Sequence, residues 1–214
     1  MAVLVAIAGG SGSGKSTLAE ALVAALPQAT LVSEDWYYRD IGAEPGFDPV
    51  GYDFDDLQVR DHPRLLQDLR ALKAGRGVEA PVYDFARHRR DAATTQVAPA
   101  PVVVVEGAHL LCTEPLAASF DLRVFVDTPP DVRFIRRLIR DQRTRGRSAD
   151  SVIGQYLATV RPAHERLIEP SRARADLVVS DRQGEVEQPD REALRRLLAP
   201  VLAHPVLRPW RPAA

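Results

Sequence analysis

The amino-acid sequence predicts an α/β fold with a doubly wound, mostly parallel β-sheet. Short apolar runs, typical of strands buried on both faces, recur along the chain at 3–8, 30–33, 102–105, 122–126 and 177–179. Segments with the spacing of amphipathic helices alternate with these runs, which is the pattern of βαβ units. The chain has 214 residues, 45% of them hydrophobic, so it suits a single domain with a substantial core.

The other segments follow from their composition and spacing. Helices are predicted at 17–26, 63–72, about 130–144, 148–168 with a kink near Pro162, and 190–203. Residues 39–60 combine Gly, Pro, Asp and aromatic residues without a clear period, so we expect a loop or lid there. Short strands at 78–85 and 94–97 are expected to form a small β-hairpin lobe at about 78–98. A frayed tail is predicted at about 205–214, which contains three prolines.

Composition and charge exclude several classes of function. The formal net charge is −1, so nothing global favours a nucleic acid or an anionic membrane surface as partner. Cys112 is the only cysteine, which excludes an internal disulfide and a multi-cysteine zinc site. No run approaches the roughly 18 apolar residues that span a bilayer, and the run at 2–8 is too short for a signal peptide. We therefore expect a soluble, cytoplasmic protein.

The glycine-rich segment after the first strand is a specific motif for phosphate binding. It reads Gly-x-x-x-x-Gly-Lys-Ser between a strand and a helix, where backbone N–H groups can surround phosphates at a helix N-terminus. Lys15 is expected to reach the β- and γ-phosphates of ATP, and Ser16 to offer its hydroxyl to Mg²⁺. The motif therefore predicts a P-loop NTPase fold. The predicted nucleotide-binding residues are Gly9, Gly10, Ser11, Gly12, Ser13, Gly14, Lys15, Ser16 and Thr17.

Other classes of P-loop protein fit the sequence less well. A GTPase needs an Asn-Lys-x-Asp motif to read guanine, and neither Lys15 nor Lys73, the only lysines, lies in one. A motor ATPase usually has an Asp-Glu pair at the end of an apolar strand, whereas the strand at 102–105 ends in Glu106-Gly107. These absences favour a kinase of small metabolites.

Two carboxylates are expected at the carboxyl ends of strands, where ligands of such sheets bind. Asp35 follows the strand at 30–33 and can serve as the general base toward an acceptor hydroxyl. On its own, an aspartate that caps a turn would be the commoner interpretation. Glu106 follows the strand at 102–105 and can hold Mg²⁺ through water.

Seven arginines lie between residues 131 and 147, and their spacing puts several on one face of a helix. Such a run is usually a solvated surface. The glycine in Arg145-Gly146-Arg147 suggests a hinge, so a lid at about 137–150 that closes over phosphates is the alternative. Arginine in such a lid would stabilise the charge of a transferring phosphoryl group.

Residues 81–85, with His88 and Arg90 behind them, combine aromatic faces with hydrogen-bonding groups. This combination suits the recognition of a base by stacking and hydrogen bonds. An exposed edge strand with a surface histidine fits the spacing equally well.

Taken together from residue 3 to about 180, these motifs resemble the uridine-cytidine kinase family, within the superfamily of P-loop kinases and phosphoribulokinase. The segment Tyr83-Asp84-Phe85 with its following histidine is more specific to this resemblance than the P-loop is. The matching segments are 9–17, 33–39, 81–85 with His88 and Arg90, Glu106-Gly107, 125–128, 137–147, Gln155-Tyr156, Glu169-Pro170 and Ala175-Asp176.

The resemblance implies Mg²⁺- and ATP-dependent phosphorylation of the 5′-hydroxyl of uridine, and of cytidine as well, in pyrimidine salvage. It implies that Asp35 is the base and that Lys15, Arg140 and Arg145 act on the phosphates, with Ser16 and Glu106 around Mg²⁺. The nucleoside-binding residues that it implies are Tyr38, Asp55, Tyr83, Phe85, His88, Arg137, Arg147 and Gln155. It also implies a homo-oligomer, namely a homotetramer.

Two segments depart from the family pattern. The usual Phe-Asp-His-Pro-Asp is here 54–58, Phe-Asp-Asp-Leu-Gln, which keeps Asp55 but changes the surroundings of the ribose pocket. Ala108-His109 follows Glu106-Gly107 where the family prefers an aliphatic pair. A related kinase for another acceptor, such as nicotinamide riboside or pantothenate, therefore stays open. So does a nucleotide-binding regulator without turnover.

Overall fold

The computed structural model describes residues 1–48, 52–181 and 191–211. The strands are β1 Val3–Ala8, β2 Ala29–Ser33, β3 Val78–Asp84, β4 Arg89–Val97, β5 Val102–Gly107, β6 Leu122–Asp127 and β7 Leu177–Ser180. The helices are α1 Lys15–Ala25, α2 His62–Lys73, α3 Glu114–Ala117, α4 Pro130–Arg145, α5 Ala149–Gln155, α6 Arg161–Ala163, α7 Glu169–Ser171 and α8 Arg191–Ala203. No helix in these ranges is both long and apolar enough to cross a lipid bilayer.

Five strands of the described chain form a parallel sheet in the order β2-β5-β1-β6-β7. All residues of β5 are buried, as its run of valines predicts. Ala8 pairs with Gly107 and Ser33 pairs with Glu106, so the carboxyl ends of β1, β2 and β5 lie side by side. The predicted doubly wound α/β fold is confirmed, and this edge of the sheet gathers the segments that follow the three strands.

Apolar side chains on the two faces of the sheet form two cores. On one face, α2 buries Leu65 and Leu69, the stripe that its amphipathic spacing predicts. On the other face, α1 packs through Leu18 and α8 through Leu197. Helices therefore cover both faces, which is why the strands of the sheet are apolar on both sides.

β3 and β4 form an antiparallel hairpin outside the main sheet, as predicted. β4 begins at Arg89, five residues before the predicted start at residue 94. Most of its side chains are exposed, so the alternation of apolar and polar residues that identifies a strand is missing from its first half. Backbone pairing with β3 nevertheless makes that half a strand.

The arginine-rich segment forms α4, which ends at Gly146. Gly146 has a φ of 62°, the left-handed conformation of a glycine that caps a helix, so the expected hinge residue is a helix cap here. A second helical segment runs from α5 to α7. Pro162 lies in it between two π-helical turns, Tyr156–Val160 and His164–Ile168. A proline lacks the N–H that a regular helix needs, and a π-turn shifts the local hydrogen-bond pattern.

Several local predictions differ from the structure. α1 begins at Lys15, two residues earlier than predicted, because the phosphate-binding loop passes directly into the helix. α3 was not predicted, since a helix of four residues shows no period. Pro205–Trp210 forms a 3₁₀ helix with Leu207 fully buried, so for these residues the prediction of a frayed tail is wrong. Residues 212–214, and residue 190 of the predicted last helix, lie outside the described residues.

Candidate active site

The phosphate-binding loop connects β1 to α1. Gly12 has a φ of 80°, and a Cβ atom at this position would lie 2.2 Å from the carbonyl oxygen of Arg133, so only glycine fits. Gly14 is the N-cap of α1 with a φ of 88°, and no side chain caps the helix there. The first N–H groups of α1 can therefore donate to an anion. The predicted nucleotide-binding residues from Gly9 to Thr17 form this loop and the first turn of α1.

Oxygen and nitrogen donors converge on Glu106 at the end of β5. Ser16 donates a hydrogen bond of 2.9 Å to one carboxylate oxygen, and Ser33 donates to the other. Lys15 Nζ lies 3.9 Å from Glu106 Oε2. Hydroxyl and carboxylate oxygens are the donors that Mg²⁺ prefers, so these residues fit a magnesium ion. The described residues contain no group of three or more His, Cys, Asp and Glu side chains that could hold a metal.

Asp35 lies in a 3₁₀ turn, Glu34–Tyr37, directly after β2. Its backbone N–H donates to the hydroxyl of Ser33 at 3.3 Å, which caps the turn. The carboxylate of Asp35 is 41% exposed and lies 3.5 Å from Arg60 Nη2. A carboxylate at this position is open to a ligand on one side and held by a cation on the other.

The aromatic residues predicted to bind the nucleoside fall into two groups. Tyr38 and Tyr83 stack with ring centroids 4.9 Å apart, and Phe85 lies edge-on to Tyr83 at 5.2 Å. His88 instead stacks on Phe54 at 4.5 Å. Partial burial and the nearby charge of Arg147 lower the pKa of His88, which favours the neutral imidazole at neutral pH.

Asp55 is another residue predicted to bind the nucleoside. Its carboxylate accepts a hydrogen bond of 3.0 Å from Thr159, and burial raises its pKa. Arg137, buried on α4, donates to Ser11 of the loop at 2.9 Å and to Gln155 at 2.8 Å. Arg137 thus links the loop to the side of the site where Asp55 lies.

The predicted lid arginines are paired with one buried carboxylate. Asp141 is fully buried and lies 2.8 Å from Arg140 Nη2 and 3.7 Å from Arg145 Nε and from Arg147 Nη1. The guanidinium of Arg145 also lies over the ring of Phe85, 4.9 Å from its centroid. Arg147 donates to Gln155 as well. In this arrangement Arg140, Arg145 and Arg147 contact Asp141, and Arg145 also contacts Phe85. Phe85 lies on what we call the acceptor side of the site, where the residues predicted to bind the acceptor lie.

A model of the phosphoribulokinase / uridine kinase family matches residues 4–186. This chain belongs to that family. Uridine kinase from Lactobacillus johnsonii (strain CNCM I-12250 / La1 / NCC 533) is 41% identical over 182 residues, which cover 84% of this chain and 86% of that protein. Uridine kinase from Borrelia hermsii (strain HS1 / DAH) is 39% identical over 181 residues, covering 85% and 87%.

Two solved structures share the fold of this chain. A putative fructose transport system kinase from Silicibacter sp. TM1040 superposes with a TM-score of 0.66 and 29% identity, covering 83% of this chain and 89% of that one. A possible uridine kinase from Bacillus stearothermophilus gives a TM-score of 0.58 at 19% identity, covering 83% and 88%. At that identity the second likeness supports the fold alone. Together with the sequence relatives, they make the chain a P-loop kinase.

Four residues of the site were not among the site residues predicted from the sequence. Arg60 is buried and lies beside Asp35 and Tyr38. Thr159 contacts Asp55, and Phe54 stacks on His88. Arg136, from the arginine run, lies near Gly14 of the loop and pairs with Asp181 at 2.7 Å. Arg136 belongs to the run of seven arginines, so the sequence could have suggested it. Arg60, Thr159 and Phe54 join the site only through contacts between segments that are distant in the chain.

A cavity of about 900 Å³ opens on another side of the phosphate-binding loop. Its walls include Gly10, Asp127, Arg133, Tyr156 and His164. Burial, followed by the charge of Arg133, lowers the pKa of His164 to about 4. The described residues that line it do not include those predicted to hold the acceptor, so it is separate from the acceptor side of the site.

Proposed function

We propose that this protein transfers the γ-phosphoryl group of ATP to the 5′-hydroxyl of uridine, and of cytidine, with Mg²⁺ bound at Ser16 and Glu106. The observation that carries the proposal is the link through Arg137, which bonds both to Ser11 of the phosphate-binding loop and to Gln155 on the acceptor side. About 40% identity to uridine kinases over most of the chain supports the choice of acceptor.

In the proposed reaction, the carboxylate of Asp35 accepts the proton of the acceptor hydroxyl as its oxygen attacks the γ-phosphorus. A bond forms between that oxygen and phosphorus, the bond between the γ-phosphorus and the β–γ bridging oxygen breaks, and ADP leaves. Lys15 and the backbone N–H groups of the loop stabilise the charge of the phosphates. A bound Mg²⁺ would neutralise further charge on the phosphate oxygens.

The lid and the base pocket complete the proposal. Arg140 and Arg145 would turn from Asp141 toward the phosphates when ATP and acceptor are bound, which exchanges one anionic partner for another. Tyr83 and Phe85 would stack on the base, and His88, as a neutral imidazole, would hydrogen-bond to it. Asp55 would bind the ribose. We also propose that the enzyme is cytoplasmic and that it acts as a homotetramer. Size-exclusion chromatography with light scattering would test the homotetramer.

The experiment measures ADP release with Mg-ATP and a panel of acceptors: uridine, cytidine, nicotinamide riboside, pantothenate and fructose. We expect uridine and cytidine to stimulate ADP release strongly and the other acceptors little. If no nucleoside stimulates ADP release above background, the proposal is wrong. A regulator without turnover would bind ATP and respond to no acceptor in the panel.

The variant His88→Ala separates a nucleoside acceptor from a non-nucleoside acceptor such as pantothenate. Because a base needs the imidazole and pantothenate does not, the substitution should impair uridine use sharply and leave a non-nucleoside acceptor little affected. His204→Ala, in the C-terminal 3₁₀ segment, is the matched control and should leave uridine use unchanged. Equal uridine turnover in both variants would remove His88 from the base pocket.

A further inference from the structure

Arg60 is a buried cation inside the acceptor side of the site. Its side chain is 4% exposed, and its backbone forms an isolated antiparallel bridge with Tyr38. Burying an arginine is costly unless its charge is compensated and its N–H groups are bonded. The contacts of Arg60 therefore show which groups compensate its charge and which groups it holds in place.

One edge of the Arg60 guanidinium faces the residues assigned to the acceptor. Nη2 donates a hydrogen bond of 2.6 Å to the hydroxyl of Tyr38 and lies 3.5 Å from a carboxylate oxygen of Asp35. Nη1 donates to the carbonyl oxygen of Phe54 at 3.3 Å, and the guanidinium carbon lies 4.2 Å from the centroid of the Tyr38 ring. A single planar group thus contacts the proposed base, the neighbouring tyrosine and the residue before Asp55.

The other edge of the guanidinium faces Glu34, which is fully buried beside the exposed Asp35. Arg60 Nε lies 3.7 Å from Glu34 Oε2, and the opposite carboxylate oxygen lies 2.7 Å from His62 Nε2. The backbone N–H of His109 donates to Glu34 at 3.0 Å. Burial alone would raise the pKa of Glu34, but the bond with His62 and the charge of Arg60 hold it well below its usual range. Glu34 is therefore ionised at neutral pH, and its charge compensates that of Arg60.

Packing also keeps Glu34 in one position. A Cβ atom on Gly107 would lie 2.4 Å from the Cβ and from Oε2 of Glu34, so the carboxylate fits closely against the end of β5. Glu34 and Asp35, which are consecutive residues of one turn, therefore have different roles. Glu34 points inward and is held by packing and charge, while Asp35 points toward solvent and contacts the cation that Glu34 holds.

We propose that Arg60 is a positioning residue for phosphoryl transfer: anchored on Glu34, it holds the carboxylate of Asp35 and the hydroxyl of Tyr38 where the acceptor hydroxyl binds. This inference rests on the proposed role of Asp35 as the base. The carboxylate of Asp35 is 41% exposed and lies 3.5 Å from the guanidinium of Arg60, so the cation restrains its orientation.

The first test compares two variants of Arg60 by kinetics. Arg60→Met combined with Glu34→Gln removes both charges together, which avoids leaving one buried charge unpaired. We expect kcat for the acceptor that the wild type uses to fall about 10- to 100-fold, with KM for ATP changed less than about threefold. Arg60→Lys keeps the charge but lacks the planar fork of the guanidinium. Its kcat should therefore lie between that of wild type and that of the Arg60→Met/Glu34→Gln variant.

The control removes an ion pair at the opposite edge of the sheet. Arg123 and Asp176 lie 2.6 Å apart near the starts of β6 and β7, and Arg123→Met with Asp176→Asn should leave kcat within about twofold of wild type. All rates are divided by the fraction of protein that binds ATP, so a loss of folded protein does not count as a loss of catalysis. A folded Arg60→Met/Glu34→Gln variant with the kcat of wild type overturns the proposal.

The second test does not depend on the acceptor. In crystal structures of wild type and of the Arg60→Met/Glu34→Gln variant, we expect the Asp35 and Tyr38 side chains to have one conformer in the former and displaced or multiple conformers in the latter. Unchanged side chains in the variant overturn the proposal. If wild type phosphorylates no acceptor in the panel, the proposed function fails, and this comparison still decides the role of Arg60.

Discussion

The phosphate side and the acceptor side of the site are built in different ways. The phosphate side is one continuous segment from Gly9 to Ser16, in which Gly12 is required because any Cβ atom would meet the carbonyl oxygen of Arg133. On the acceptor side, side chains from several separate segments meet, held by ion pairs such as Arg60 with Glu34. The first side therefore depends on backbone geometry, and the second on the pairing of side chains.

The largest effect is expected on the acceptor side, from Asp35→Asn. An amide keeps the shape of the carboxylate but cannot accept a proton, so kcat should fall by roughly 10²–10⁴. ATP affinity, measured by calorimetry, should stay close to wild type because the phosphate-binding loop is a different segment. Asp150→Asn, an exposed residue in the first turn of α5, is the control. Wild-type turnover of Asp35→Asn would remove Asp35 from the role of base.

The phosphate side is tested by Gly12→Ala against Gly75→Ala. Both glycines have nearly the same φ, 80° and 78°, so both substitutions carry a similar backbone strain. A Cβ at Gly12 meets a backbone oxygen at 2.2 Å, whereas at Gly75 nothing lies within 4 Å. Overpacking of this kind costs about 1–3 kcal/mol, which corresponds to a loss of ATP affinity of roughly 5- to 150-fold for Gly12→Ala. Equal ATP affinity in the two variants would show that the loop adapts.

The same difference explains how much of the site the sequence could predict. The phosphate-binding loop is contiguous, so its residues and its position between β1 and α1 could be predicted from spacing alone. The seven arginines were visible too, but their partners were not: Arg140 and Arg145 meet Asp141, while Arg136 lies near Gly14. Which charge becomes buried depends on segments that meet only in the folded chain.

The acceptor residues came from a family resemblance, and that resemblance could not supply what is particular to this chain. Arg60 and Thr159 lie in segments without a motif, and they matter only because folding brings them to Asp35 and Asp55. His88 was grouped with Tyr83 by proximity in sequence. The turn between β3 and β4, in which His88 has a φ of 53°, instead places its ring against Phe54.

A smaller effect is expected from Thr159→Val, which removes the hydrogen bond to the Asp55 carboxylate. A hydrogen bond to a charged group contributes about 1.5–3 kcal/mol. Only part of this should reach the bound nucleoside, so we expect KM for uridine to rise about 3- to 10-fold, with KM for ATP unchanged. Thr95→Val, an exposed position on β4, is the control for the loss of a threonine hydroxyl. A rise in KM for ATP instead would contradict the separation of the two sides.

The smallest effect is expected on stability. It tests whether the two sides, although built differently, both contain a buried histidine that stays neutral in the folded protein. Each contains a buried histidine: His109 near Glu34 on the acceptor side, and His164 against Gly10 on the phosphate side. Burial is the main cause that lowers the pKa of His109 to about 3 and that of His164 to about 4. Both imidazoles are therefore neutral in the folded protein between pH 6.5 and 5.

In the unfolded chain these histidines bind protons below about pH 6.5, which the folded protein does not do until much lower pH. The free energy of unfolding should therefore fall as pH decreases from 6.5 to 5, by up to about 1.4 kcal/mol per pH unit for each histidine. Urea denaturation measures the free energy of unfolding. For His109→Gln and for His164→Gln, this free energy should depend less steeply on pH than in wild type. The reduction should be the same in both variants because both pKa values lie well below this pH range. If the pH dependence becomes flatter in only one variant, the other histidine binds its proton in the folded state. The two sides of the site then differ in electrostatics as well as in construction.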